Sequence, residues 1–221
     1  MERHFDRDLN LLKEKLITMA GLTESNIQLS IKILVERNET SHGLISQQEQ
    51  KINALQVEID NFCLKLLALH QPVAFDLRFI TSAMRISAEL ERIGDQAVNI
   101  TQSALELIKQ PLLKPLVDIP KMAALVQSMV KDSLDSFVRQ DSVLARDILK
   151  RDDQIDNYKE QIFRELLTFM LQDPTTISRA LQLILISRHL ERIADHSTNI
   201  AEDVVYLVEG IDIRHHSEEN R

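Results

Sequence analysis

Two triplets of oxygen-bearing side chains stand out in the 221-residue sequence: Glu91, Asp95 and Asn99, and, 100 positions later, Glu191, Asp195 and Asn199. Within each triplet the spacing is four. On a helix this stacks the side chains along one edge, spread over about 80° of the circumference at 100° per residue. Two carboxylates at i and i+4 repel by a few tenths of a kcal/mol even when solvated, so a sequence that places them twice at matching positions calls for a nearby cation. Arg92 and Arg192 point about 100° away from the adjacent glutamates, so they are not the obvious partners of the row. Carboxylate and amide oxygens suit hard or borderline divalent ions: Mg, Mn, Fe(II) or Zn. Against that stands the ordinary reading. An E-x-x-x-D pair on a long helix is commonly a solvated or ion-paired face, and duplicating such a surface duplicates its charges.

The triplets lie inside a repeat. Residues 86–100 read ISAELERIGDQAVNI and residues 186–200 read ISRHLERIADHSTNI, identical at nine of fifteen positions without a gap. Self-similarity of this kind marks a duplicated architecture. Weaker matches extend it: Ile52-Asn53 answers Ile155-Asp156 and Ile59 answers Ile162 at an offset of 103, and Pro72 answers Pro174 at 102. A drift of a few residues is what changes in loop length between copies produce.

The elements that must position these rows are helices. Aromatic residues make up 4% of the chain, there is no Trp, and Gly and Pro number four and five, a composition poor in turn formers and in typical β residues. Apolar residues fall at helical spacing from Asp8 to about Arg37, from Leu44 to His70 and from Val73 to about Gln110. Gly21 is read as marking a close helix crossing. Gln71-Pro72 ends the second helix, because the residue before proline disfavours helical dihedrals while proline suits a first helical turn. Pro111, Pro115 and Pro120 punctuate the middle of the chain and set a boundary between a unit spanning residues 1–112 and one spanning 113–221. The programme then restarts: a helix from Lys121 to about Gln140, a cap at Asp141-Ser142, a helix to about Gln172, a second cap at Asp173-Pro174, and a last helix to about Glu209 with a stop at Gly210. The expected fold is all-α, two tandem three-helix bundles related by internal duplication.

Several function classes are disfavoured. A net charge of −8 opposes direct binding to a nucleic-acid phosphate backbone. Cys63 is the single cysteine, which rules out an intrachain disulfide and a thiolate metal site within one chain. The charged start MERHFDRDLN lacks an apolar export core and no segment reaches 18 uncharged apolar residues, so a cytoplasmic protein without direct membrane insertion is expected. No nucleophile stands with a base, and four glycines leave no phosphate-cradling loop. Cys63 reads as a buried, inert thiol, His70 as a helix-end residue, and His215-His216 as a solvent-exposed pair in a polar tail. Glu58, Asp60, Asp132, Asp135, Asp156 and Glu160 could complete a metal shell across helices or sit at ordinary exposed positions.

The two LERI(G/A)D-x-x-x-NI segments, placed alike in tandem three-helix units and led in by QPVAFDLR at Gln71–Arg78, closely resemble the PhoU family of phosphate-specific transport accessory proteins. The resemblance covers essentially the whole chain. It implies a non-enzymatic cytoplasmic regulator of phosphate uptake, an adaptor between the ATPase subunit of the high-affinity phosphate transporter and the phosphate sensor histidine kinase. Such a protein represses the starvation response when phosphate is plentiful, and homodimers are common. Some members hold multinuclear iron or zinc clusters on E/D-x-x-x-D motifs, which map here onto Glu91 with Asp95 and Glu191 with Asp195. The copies differ: His196 stands where the first has Gln96, and Glu202 where the first has Gln102. If Glu202 joins the row, the second half is expected to hold metal in preference to the first. Two rival readings are a ferritin-like metal-dependent oxidase and a metal-free helical adaptor. The first requires Glu-x-x-His pairs in a four-helix core, and Glu191 to His196 has the wrong spacing.

Overall fold

The periodic apolar stripes do form six long helices. The computed structural model describes residues 4–214, which leaves His215-His216 outside the described residues, and among those described there is no strand. The helices are α1 (His4–Glu36), α2 (His42–His70), α3 (Ala74–Ile108), α4 (Asp118–Arg139), α5 (Ser142–Gln172) and α6 (Ile177–Glu209), with short 3-10 turns at Glu39–Ser41 and Pro174–Thr176. Within the first triple, α3 packs on α1 and α2; within the second, α6 packs on α4 and α5. The most extensive contact of all is between α3 and α6, and α1 also touches α4. The two helices that carry the repeated stretch therefore form the shared centre, each covered by its own pair.

The buried residues explain that arrangement. On α3, Ile86, Leu90, Ile93, Ala97 and Ile100 are fully buried, and on α6 so are Ile186, Leu190, Ile193, Ala194 and Ile200. These stripes are wide enough to face both a flanking pair and each other. On the covering helices, Ile45, Ile52 and Ile59 of α2 recur as Ile148, Ile155 and Ile162 of α5, all buried and all at the offset of 103. A seven-residue spacing keeps one narrow seam on one face of a helix, and this leaves the rest of α2 and α5 to solvent.

Local chemistry sets the ends. The Asp141 carboxylate accepts hydrogen bonds from the backbone N–H groups of Val143 and Leu144, both at 3.0 Å, satisfying two otherwise unpaired donors at the start of α5. Asp173 accepts from Thr175 N at 2.9 Å, with Pro174 following it as the sequence suggests. Helix α4 begins at Asp118 and not beyond Pro120, because proline in a first turn removes an N–H that has no helical partner anyway. Gly210, at φ 72°, ends α6 in the left-handed region. The Arg37 guanidinium reaches across to the carbonyls of Leu107 at 3.3 Å, Ile108 at 3.0 Å and Gln110, closing the C-terminus of α3. One expectation is corrected here. Gly21 is exposed and a Cβ there would meet nothing within 4 Å, whereas at Gly94 a Cβ would lie 3.4 Å from Ile52 Cδ1. The close helix approach is thus at Gly94, inside the repeat.

Candidate functional site

Helices α3 and α6 run antiparallel, and polar contacts tie them together along their length. Arg78 Nε donates to the Leu207 carbonyl at 3.2 Å near one end, and Arg179 Nη1 to the Pro111 carbonyl at 3.2 Å near the other. Between these, Arg85 Nη1 donates to Asp203 Oδ1 at 2.9 Å, Glu89 contacts His196 Nδ1 at 2.7 Å, and His189 Nδ1 lies 2.8 Å from Gln96 Oε1. Residues 89 and 189 are equivalent in the repeat, as are 96 and 196. The contacts Glu89–His196 and Gln96–His189 are therefore related by a local pseudo-twofold axis, near Ile93 and Ile193.

Glu89 is the most densely bonded carboxylate of this seam. It accepts from His196, from Asn199 Nδ2 at 3.0 Å and from Arg92 Nη1 at 2.7 Å. Burial pushes its pKa upward, but the hydrogen bonds from His196 and Asn199, with the charges of His196 and Arg92, outweigh that and hold it below the ordinary value. Asp203, 5% exposed, goes the other way: burial raises it more than Arg85 and Arg214 lower it.

The acidic rows face away from this seam, towards the covering helices. On the first side, Glu91 and Asp95 are joined by Glu49 of α2: burial, then Asp95 and Glu49, hold Glu91 above its ordinary value, and burial with Glu49 does the same to Asp95. On the second side, Glu191 and Asp195 meet Asp152 and Asp156 of α5. Burial followed by Glu191, Asp152 and Asp156 pushes the Asp195 carboxyl up to about 6, and burial followed by Asp156, Asp153 and Glu191 raises Asp152. Glu49 and Asp152 are equivalent at the offset of 103. Each triple thus builds one acidic face from two helices.

The amides and flanking residues of the rows are placed differently. Asn199 serves Glu89 on the α3–α6 seam, His196 bonds Glu89 while its charge also reaches Asp195, and Glu202 adds, after Asp212 and Asp203, to the negative field around the Arg214 guanidinium. Asn99 is half-buried on α3, one turn beyond Asp95. Of the acids considered as cross-helix partners, Asp156 alone joins a row. Glu58 pairs with Lys15 at 2.6 Å, Asp132 with Arg151 at 2.5 Å, Asp135 with Arg139 at 3.8 Å, and Glu160 with Arg164; Asp60 lies near Cys63 and adds to the effect of burial in raising its pKa. His70 is a helix-end residue on Asp8, at 3.5 Å, with Phe5 against its ring.

The second row also contains a cation of its own. Lys159 Nζ donates to Asp156 Oδ1 at 2.7 Å and to Glu191 Oε1 at 2.9 Å, one carboxylate from each helix. Among the described residues, no group of three or more His, Cys, Asp and Glu side chains is arranged to share one metal ion. The second face, with its ammonium in place, does not fit the metal cluster expected from the motif.

Sequence reasoning missed Glu49, Asp152, Lys159 and Glu89. The offset of 103 was visible in the isoleucines of α2 and α5, and applying it to the polar positions would have paired Glu49 with Asp152. Glu89 was hidden because its equivalent is His189, so a search for identities passes over it.

Set beside known proteins, the two triples are recognised separately: the PhoU domain model matches residues 16–104, from α1 to α3, and 119–204, from α4 to α6. The chain is 40% identical over 209 residues to a phosphate-specific transport system accessory protein PhoU homolog of Aquifex aeolicus, covering 95% of both chains. It is 37% identical over 216 residues to the protein of that name in Pseudomonas putida, covering 97% of this chain and 84% of the relative. The crystal structure of PhoU from Pseudomonas aeruginosa superposes with a TM-score of 0.91 at 35% identity, over 94% of this chain and 100% of that one. The phosphate transport system regulatory protein PhoU from Streptococcus pneumoniae gives 0.86 at 30% identity, over 95% and 99%. With both helix triples matched and the antiparallel α3–α6 centre held in common with solved structures, the chain belongs to the PhoU family.

Proposed function

We propose that the chain is an accessory regulator of phosphate transport. In this reading it works as an adaptor between the ATPase subunit of the high-affinity phosphate transporter and the phosphate sensor histidine kinase, and represses the starvation response when phosphate is plentiful. The observation that supports it is the match of both helix triples, over nearly the full chain, to relatives named as phosphate-specific transport accessory proteins. Two acidic faces, one per triple, suit an adaptor: charge on a broad helical surface orients partners and excludes wrong ones more than it adds raw affinity. Phosphate status then shifts the output by favouring one of two bound states, and only a difference in affinity between those states moves the equilibrium. Among the described residues no helix is long and apolar enough to cross a membrane, so association with a transporter would run through a partner subunit.

Co-purification of the full-length protein with the ATPase subunit and with the kinase, each with and without phosphate, tests this directly. Binding to at least one partner that changes with phosphate is expected, and no binding in either condition overturns the adaptor role. In the native host, loss of the gene should leave starvation genes expressed in phosphate-rich medium. Homodimerisation is part of the proposal and is read by light scattering. Elemental analysis of protein purified without a histidine tag tests for bound Fe, Zn, Mn or Mg. A metal-free protein that still binds its partners selects the helical adaptor that uses no metal.

A further inference from the structure

We propose that Lys159 is the resident cation of the acidic face formed by α5 and α6, and that it closes that face to a divalent metal ion. This role of Lys159 is independent of the regulatory function. Asp152 and Asp156 of α5 and Glu191 and Asp195 of α6 share one acidic face, oxygen donors of the type a hard ion recruits, and with Lys159 in place no three of them are arranged to share an ion. The Lys159 ammonium already bridges the two helices there, 2.7 Å from Asp156 and 2.9 Å from Glu191. Lysine has three donors and no acceptor, so it serves these oxygens as a compact point charge and offers a metal no ligand. Its proton is held more tightly than in water by hydrogen bonds to Asp156 and Glu191, in keeping with that placement. A dication entering the face must either break both ion pairs or sit against a positive charge in direct contact with its ligands.

The first face is built differently at this position, and also at Asn53, which stands where the second face has Asp156. Applying the offset of 103 that relates Ile52 to Ile155 and Ile59 to Ile162, the residue equivalent to Lys159 is Gln56, which carries no charge. Among the described residues, neither Glu91 nor Asp95 has a lysine or arginine nitrogen within ion-pair distance. Duplication has thus kept the carboxylate pair on both faces and supplied a tethered counter-ion to one. The difference between Lys159 and Gln56 favours the first face, opposite to the expectation from Glu202 and His196, and His196 makes its hydrogen bond to Glu89.

The test is a titration of full-length protein with Mn2+, following free Mn2+ by electron paramagnetic resonance, in the native protein, Glu191→Gln, Lys159→Gln, Lys159→Arg and the double variant Lys159→Gln with Glu191→Gln. Lys159→Gln places at this position the residue that the first face has there and keeps a side chain of helix-forming type, and circular dichroism verifies that each variant is folded. Lys159→Gln is expected to bind Mn2+ at least tenfold more tightly than any Glu191-dependent site of the native protein. The gain should be absent in the double variant and in Lys159→Arg, which retains the positive charge. The proposal is overturned if the native protein binds Mn2+ as tightly as Lys159→Gln in a manner lost with Glu191→Gln. It is overturned equally if Lys159→Gln gains no site, since lysine would then not be what closes the face. Co-purification with phosphate-system partners reads neither result, so failure here is distinct from failure of the adaptor role.

Discussion

Replacing Glu89 by alanine tests whether the α3–α6 seam holds the two helix triples together. Its carboxylate accepts from His196 at 2.7 Å, Asn199 at 3.0 Å and Arg92 at 2.7 Å. The Arg92 side chain is 57% exposed, so that pair contributes little. The His196 and Asn199 bonds are made to a charged group whose side chain is only 11% exposed, where each is worth about 1.5–3 kcal/mol. Relief of the buried carboxylate's desolvation offsets part of this, leaving a net loss of about 2–3 kcal/mol for Glu89→Ala. Equilibrium urea unfolding followed by circular dichroism at pH 7 measures it, and a cycle with His196→Ala should return a coupling of about 1–2 kcal/mol. The pH dependence has a fixed sign. Because the folded pKa of Glu89 is depressed below 4.5, its stabilisation is present above that value and is lost as pH falls through the folded pKa. The difference between native protein and Glu89→Ala should therefore shrink with acidification. A loss below about 0.5 kcal/mol at pH 7, or a coupling of zero to His196, would refute the assignment of this carboxylate as the tie between triples.

Three further outcomes follow from the same structure. Asp195→Asn should stabilise the protein: shifting a carboxyl from 3.8 to about 6 is worth about 3 kcal/mol at full strength, and exposure of Asp195 cuts this to about 1 kcal/mol. Since the raised pKa makes stability fall as pH climbs from about 4 to 6, the gain should be full above pH 6 and gone below 4; a gain that persists in acid counts against the mechanism. Gly21→Ala, where a Cβ meets nothing within 4 Å, should stabilise by about 0.5–1 kcal/mol and raise Tm by about 1–4 °C in a scanning calorimeter; a lower Tm contradicts the open surface described at this position. Cys63 is fully buried and its thiol is pushed up to about 12 by burial and by Asp60, so Ellman's reagent at pH 8 should react only after denaturation, and prompt reaction of the folded protein rejects this.

Helices and their order were legible because each signal was local. Proline placement at 72 and 174, the aspartates that cap at 141 and 173, and the terminal Gly210 act within a few residues of where they stand. The repeat was legible because nine identities survive in fifteen positions. What the sequence concealed was direction around the helix. Asn199 shares the spacing of Glu191 and Asp195, but a row of period four drifts around the helix axis, and its third member has turned far enough to meet α3 instead of α5. His196 is adjacent to Asp195 in sequence and about 100° from it on the helix, which carries it to Glu89. Lys159 is silent in the chain, one lysine among many, until α5 is laid beside α6 and its ammonium reaches Glu191 from 32 residues away. Gly21 and Gly94 make the same point: both sit mid-helix, and only the partner helix decides which of them is crowded.

The pseudo-twofold seam also distinguishes unlike from like pairings of the two units. Were a first unit to meet another first unit through the same surface, Glu89 would face Gln96 at both ends, burying two carboxylates with no imidazole to donate to them. Were a second unit to meet its like, His189 would face His196 twice, setting ring nitrogens against one another with no acid between them. Only the unlike pairing places Glu89 against His196 and Gln96 against His189. The divergence of two positions thus favours the pairing of unlike halves at this seam: exchange of a triple between two chains would retain both contacts, while pairing of like halves would lose the Glu89–His196 contact.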